Sequence, residues 1–152
     1  MSHAAFTKIV PLCMLIVVPI FQQAQATTQL VTFNQLNASA TLSAPFLAND
    51  VLRLNTYSSQ VGALLQTVSF TLGAGVGSFS GQASWEIDSA TGTGPRLIGV
   101  NVDIFDASNL LVASDSGIVT ANGFATSTFT PTPLSPGFYR IVVTGTGVRD
   151  SR

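Results

Sequence analysis

Beyond residue 26 the chain contains no histidine, no cysteine and no lysine; His3, Lys8 and Cys13 are the sole examples and all fall near the start. Each absence excludes something. Without histidine or lysine there is no side-chain base or amine nucleophile of the usual kind for chemistry near neutral pH. A serine nucleophile would have to borrow a carboxylate as its base, and no Gly-x-Ser-x-Gly elbow is present. Without cysteine there is no disulfide and no thiolate metal site. Residues 27–152 are nevertheless enough chain to bury a core without staples. Apolar burial and backbone hydrogen bonds must therefore hold the domain together.

Charge is scarce too. Residues 27–152 carry five Arg against six Asp and one Glu, a net of −2 with no cluster of either sign. Nucleic-acid binding needs a basic face to neutralise phosphates, and none is present. Surface polarity must come from Ser, Thr, Asn and Gln. The one long apolar run, residues 9–21, is about 13 residues and is interrupted by Pro11 and Pro19, short of the roughly 20 that span a bilayer. Lys8 precedes it and Ala24-Gln25-Ala26 follows it. That order predicts a cleaved export signal over residues 1–26 and a secreted or periplasmic single domain over 27–152, with no membrane attachment after the cut.

The dominant period is two. Phe79, Gly81, Ala83, Trp85 and Ile87 alternate with Ser78, Ser80, Gln82, Ser84 and Glu86, which places the two sets on opposite faces of a strand. Val68, Phe70 and Leu72 alternate with Thr67, Ser69 and Thr71, and the glycine-rich residues 73–77 between these segments predict a hairpin. Val100, Val102 and Ile104 form another alternating set. Asp106-Ala107-Ser108-Asn109 then supplies turn residues before a strand over 110–113. Tyr139, Ile141 and Val143 mark the last strong strand, delivered by a loop containing Pro131, Pro133 and Pro136. Weaker strands are expected over 30–36, 40–43, 51–54 and 123–129, and a short helical turn over 59–66. Seven to nine short strands predict an all-β fold, an antiparallel β-sandwich of jelly-roll or Ig-like kind.

Several of these segments share a pattern. Val100-Asn101-Val102-Asp103-Ile104-Phe105-Asp106-Ala107 precedes a hairpin, and Leu134-Ser135-Pro136-Gly137-Phe138-Tyr139-Arg140-Ile141-Val142-Val143-Thr144-Gly145 closes the chain. Together with residues 66–72 and the Trp85 strand, they resemble the exported β-sandwich of FxDxF-type PEP-CTERM proteins and, more distantly, bacterial pre-peptidase C-terminal domains. The resemblance covers half to two thirds of residues 27–152 and implies an exported β-sandwich. It departs from the family in two places. No Pro-Glu-Pro sorting tail follows Val148-Arg149-Asp150, and Asn34 and Leu36 stand near where an Asp and a second aromatic are expected.

Few residues can carry chemistry. Asp103, Asp106 and Asp115, with Asn101 and Asn109, lie on or beside the second hairpin, and oxygen ligands on a loop are what calcium requires. The competing reading is turn chemistry, in which Asp106 and Asp115 accept bonds from nearby backbone N–H groups. Glu86 and Asp88 sit two apart on one strand, a spacing compatible with paired-carboxylate glycoside hydrolysis; a solvated face is the plainer reading. Trp85 falls in the core register. Tyr57, surrounded by Asn55, Thr56, Ser58 and Ser59, is the better candidate for contact with a sugar. Asn37-Ala38-Ser39 is a glycosylation sequon.

The first segment, residues 27–43, has no charge at all. Edge strands of soluble β-proteins are commonly guarded by charged residues, lysine above all, so this segment suits pairing with a neighbour's open edge. The sequence therefore supports two classes of function. One is a non-catalytic structural or binding module for polysaccharide or other surface proteins. The other is a self-assembling, fimbria-like subunit. A carboxylate-dependent glycoside hydrolase is the remote third.

Overall fold

The two-residue alternation in the sequence reappears as an alternation of burial. The computed structural model describes residues 26–56, 60–87, 95–115, 118–121 and 123–149, and among them are ten strands and no helix. They are β1 (Thr28–Phe33), β2 (Asn37–Thr41), β3 (Val51–Thr56), β4 (Gly62–Leu72), β5 (Phe79–Glu86), β6 (Pro95–Asp106), β7 (Leu111–Ser114), β8 (Ile118–Ala121), β9 (Phe124–Thr132) and β10 (Gly137–Arg149). In β4, Leu64, Gln66, Val68, Phe70 and Leu72 are buried; in β10, Tyr139, Ile141 and Val143 are. The helical turn expected over 59–66 is absent from its described part, because Leu64 and Gln66 continue the inward phase of β4.

Two five-stranded sheets result, in the orders β1-β3-β5-β9-β8 and β2-β4-β10-β6-β7. Both are mixed, which corrects the antiparallel expectation: β1 with β3, β3 with β5, and β2 with β4 run parallel. The cause lies in the path of the chain. From β1 to β5 each successive strand joins the opposite sheet, so neighbours within a sheet are two strands apart in sequence and point the same way. Parallel pairs need a crossover connection, and here the crossover is a strand of the other sheet. The hairpin expected across residues 73–77 is corrected for the same reason, since β4 and β5 lie in different sheets. The hairpin between β6 and β7 forms as expected.

Where the sheets face one another the side chains make one core. Phe70 of β4 stacks on Phe79 of β5 with ring centroids 5.0 Å apart. Phe46, from the segment before β3, meets both rings edge-on at 5.5 and 5.6 Å. Tyr139 stacks on Phe70 at 5.9 Å, and its hydroxyl donates to the carbonyl of Ser135 at 2.8 Å. That bond fixes the corner leading into β10 in the manner of a tyrosine corner. Trp85 is buried, in keeping with its register. Gly147 is required by close approach, because a Cβ there would lie 2.7 Å from the Gln60 carbonyl oxygen.

Polar clips also join the sheets. The Thr56 hydroxyl of β3 donates to Gln66 Oε1 of β4 at 2.6 Å, and Gln66 Nε2 donates to the Gln35 carbonyl at 2.7 Å. Asp50, just before β3, is almost fully enclosed and accepts bonds from the Thr27 N–H, the Thr27 hydroxyl and the Leu47 N–H at 2.7, 2.8 and 2.7 Å. Burial alone would raise its pKa. The two backbone donors and the hydroxyl outweigh it and hold the carboxyl below the ordinary aspartate value.

Truncating Phe70 to Ala leaves Phe46, Phe79 and Tyr139 without a shared partner, and we expect a loss of about 3–5 kcal/mol in urea unfolding. Phe70→Leu should cost clearly less. A depressed carboxyl pKa contributes stability that is complete above the unfolded aspartate pKa and is lost as pH falls through the folded value. Asp50→Asn should therefore cost about 1–3 kcal/mol at pH 7, and its deficit relative to wild type should shrink on acidification, as followed by urea unfolding at several pH values.

Candidate functional site

The three aspartates proposed as calcium ligands are each occupied by the protein's own donors. Asp106 Oδ1 accepts the N–H groups of Ser108 and Leu110 at 2.8 and 2.9 Å, and Asn109 adopts a left-handed φ of 65° in the same turn. This is turn chemistry. Asp103 lies on the outer face of β6 and accepts from Asn101 Nδ2 and from the Ser114 hydroxyl of β7. Asp115 leaves β7 and binds both sheets: Oδ1 accepts the Val102 N–H of β6 at 3.2 Å, and Oδ2 accepts the hydroxyl of Ser127 of β9 at 2.7 Å. Among the described residues no three His, Cys, Asp or Glu side chains converge as a metal site would require. Tyr57, Asp88 and the Glu86 side chain lie outside the described residues, as do residues 1–25. Asn37 of the sequon opens β2 and is exposed.

The surface best built for contact is the outer face of the first sheet. Parallel pairing of β1, β3 and β5, and antiparallel pairing of β5 with β9, set residues level in rows across neighbouring strands. One row runs Leu30, Arg53, Gln82, Thr128, and the next runs Thr32, Asn55, Ser84, Thr126. Strands about 4.8 Å apart bring these side chains into lateral contact. Thr28, Leu30, Arg53, Asn55, Gln82, Ser84 and Thr126 enclose a shallow hollow of about 280 Å³. The Ser84 hydroxyl donates to Asn55 Oδ1 at 3.2 Å, which orients that amide. The inner sides of the same strands bury Leu52, Leu54, Ala83, Trp85 and Phe129, so the floor of the hollow rests on the core.

Chemically, the hollow offers a guanidinium, two amides and several hydroxyls, and no carboxylate lines it among the described residues. Arg53 presents planar, always-charged donors suited to a carboxylate. The amides supply both donors and acceptors, which suits a polyhydroxylated partner. A second opening of about 340 Å³, between Trp85, Leu97, Val100, Ile118 and Ala125, is apolar apart from Arg96 and Thr120. Its polar lining is limited to those two side chains, so this opening has few groups to orient a ligand. Alternation had already sent Gln82 and Ser84 toward water, yet nothing local in the sequence shows that Arg53 and Asn55 lie beside them.

Searches against models of known protein families, against curated proteins and against solved structures find no match to this chain.

Removing the Asp115 carboxylate strands a fully enclosed Ser127 hydroxyl, so Asp115→Ala should cost about 1–3 kcal/mol in chemical unfolding. Because the protein's own donors already occupy all three aspartates, we expect the melting temperature to be the same in calcium and in EDTA. A calcium-dependent rise of several degrees would contradict that assignment.

Proposed function

We propose that the chain is exported, loses residues 1–26, and acts as a non-catalytic β-sandwich module that binds an acidic polysaccharide on the outer face of the β1-β3-β5-β9 sheet. The observation that carries this reading is the hollow around Arg53, in which one guanidinium stands among amides and hydroxyls with no carboxylate in the lining among the described residues. A carboxylate-bearing sugar would pair with Arg53 and spread its hydroxyls over Asn55, Gln82, Ser84 and Thr126. The lack of histidine, lysine and cysteine beyond residue 26 favours holding over turnover. The resemblance of residues 100–107 and 134–145 to exported β-sandwich proteins points the same way.

A second reading is supported by the positions of β1 and β2. Both come from the uncharged segment 27–43, and each is the edge of its sheet. Open edges without charge are suited to strand addition between copies.

Binding isotherms separate the two. The first reading expects saturable binding of a uronate polymer, weaker binding of a neutral glucan, and at least a tenfold loss in Arg53→Ala, equivalent to about 1.4 kcal/mol. Equal affinity in Arg53→Ala, or no binding to any glycan, would reject it. Size-exclusion chromatography over a concentration series tests the second reading, which a strictly monomeric profile would exclude.

A further inference from the structure

The hydrogen-bonded fold begins at Thr27. Its carbonyl accepts the Val51 N–H at 2.9 Å, its N–H donates to Asp50 Oδ1 at 2.7 Å, and its hydroxyl donates to the same oxygen. Ala26, one residue earlier, is exposed. Every strand among the described residues lies within Thr28 to Arg149, so the chain from Thr27 onward contains the whole described fold. Asp50 is a buried carboxylate whose three donors, the amides of Thr27 and Leu47 and the Thr27 hydroxyl, are all neutral while the preceding peptide bond is intact.

We propose that the Ala26–Thr27 peptide bond is a processing site, and that its hydrolysis creates an α-ammonium group on Thr27 that forms an ion pair with the Asp50 carboxylate. An endopeptidase adds one water across the amide. The C–N bond breaks, the water's hydroxyl goes to the Ala26 carbonyl carbon and its proton to the Thr27 nitrogen, and the new carboxylic acid then ionises, its proton converting the Thr27 amine to an ammonium. The small residues Ala24 and Ala26 suit such a cut. The new cation needs no rearrangement, because one N–H of Thr27 already points at Asp50 and the carbonyl side is held by Val51. A neutral hydrogen bond becomes a charge-assisted one, and a buried anion gains a counter-ion. Processing would thus lock β1 against β3 and complete the edge of the sheet that carries the Arg53 hollow.

This inference rests on the export reading above, and its test separates the two. The full chain is produced with export, and the exported protein is sequenced from its N-terminus. Thr27 as the first residue is expected; another first residue overturns the processing site, and absence from the exported fraction overturns the export reading with it. Because residues 27–152 contain no lysine, an acylating reagent meets a single primary amine in the processed protein. Paired with Asp50, that amine should acylate several-fold more slowly in the folded protein than in urea, and Asp50→Asn should remove most of the protection. In case that variant does not fold, the acetylated wild-type protein is also compared with the free-amine form. Acetylation keeps an N–H but removes the charge, and should lower the melting temperature by at least about 2 °C. Full amine reactivity in the folded protein, or identical melting of the two forms, would overturn the ion pair.

Discussion

The face on which the functional reading depends exists because β1, β3 and β5 run parallel and in step. In that register Leu30, Arg53 and Gln82 share one row, and Thr32, Asn55 and Ser84 share the next. A shift of one residue in β3 would turn Arg53 and Asn55 inward and send Leu52 and Leu54 to water. The core resists such a slip. Leu52 and Leu54 are buried in register with Gly81 and Ala83, and the Phe129 and Phe79 rings close over Gly81 where a side chain would otherwise stand. The polar outer surface is therefore fixed by apolar packing beneath it.

A chain without disulfides must secure two sheets to one another by other means. The Phe46, Phe70, Phe79 and Tyr139 rings fill the space between them at one end. Two polar clips sit elsewhere, Thr56 with Gln66 and Asp115 with Ser127, each joining a strand of one sheet to a residue belonging to the other. Satisfied buried polar pairs of this sort add less net energy than apolar burial, but they penalise misalignment because a displaced partner is left unsatisfied. They restrict how the sheets can slide. The Asp50 contacts do the same for the entry of β1, which is otherwise an edge strand with a partner on one side only.

Much of the local structure was legible in the sequence. Alternation identified the strands around residues 68–72, 79–87, 100–104 and 139–144, placed Trp85 in the core, and sent Gln82 and Ser84 outward. The β6–β7 hairpin was legible because its turn chemistry is local: Asp106 bonds to Ser108 and Leu110 within four residues. Allocation of strands to sheets was not. A glycine-rich link such as residues 73–77 reverses the chain equally well within one sheet or across to the other, so a hairpin and a crossover read alike. Gln66 shows a second limit. It shares the phase of Val68 and Phe70, but its polarity disguises a buried role that depends on Thr56 and Gln35. Thr27 lies 23 residues from Asp50 and Ser127 lies 12 from Asp115, and no local pattern announces these partners. The Arg53 hollow escaped notice for the same reason, being assembled from four strands whose order the sequence does not print.

The central claim is the parallel placement of β3 beside β5, and backbone proton NOEs report it directly. The account predicts inter-strand contacts linking Asn55 with Ser84 and Arg53 with Gln82 in the parallel pattern, together with ring contacts between Phe70 and Phe79. Contacts pairing β4 with β5 as an antiparallel hairpin around residues 73–77 would contradict it, and would dismantle the Arg53 face along with the topology.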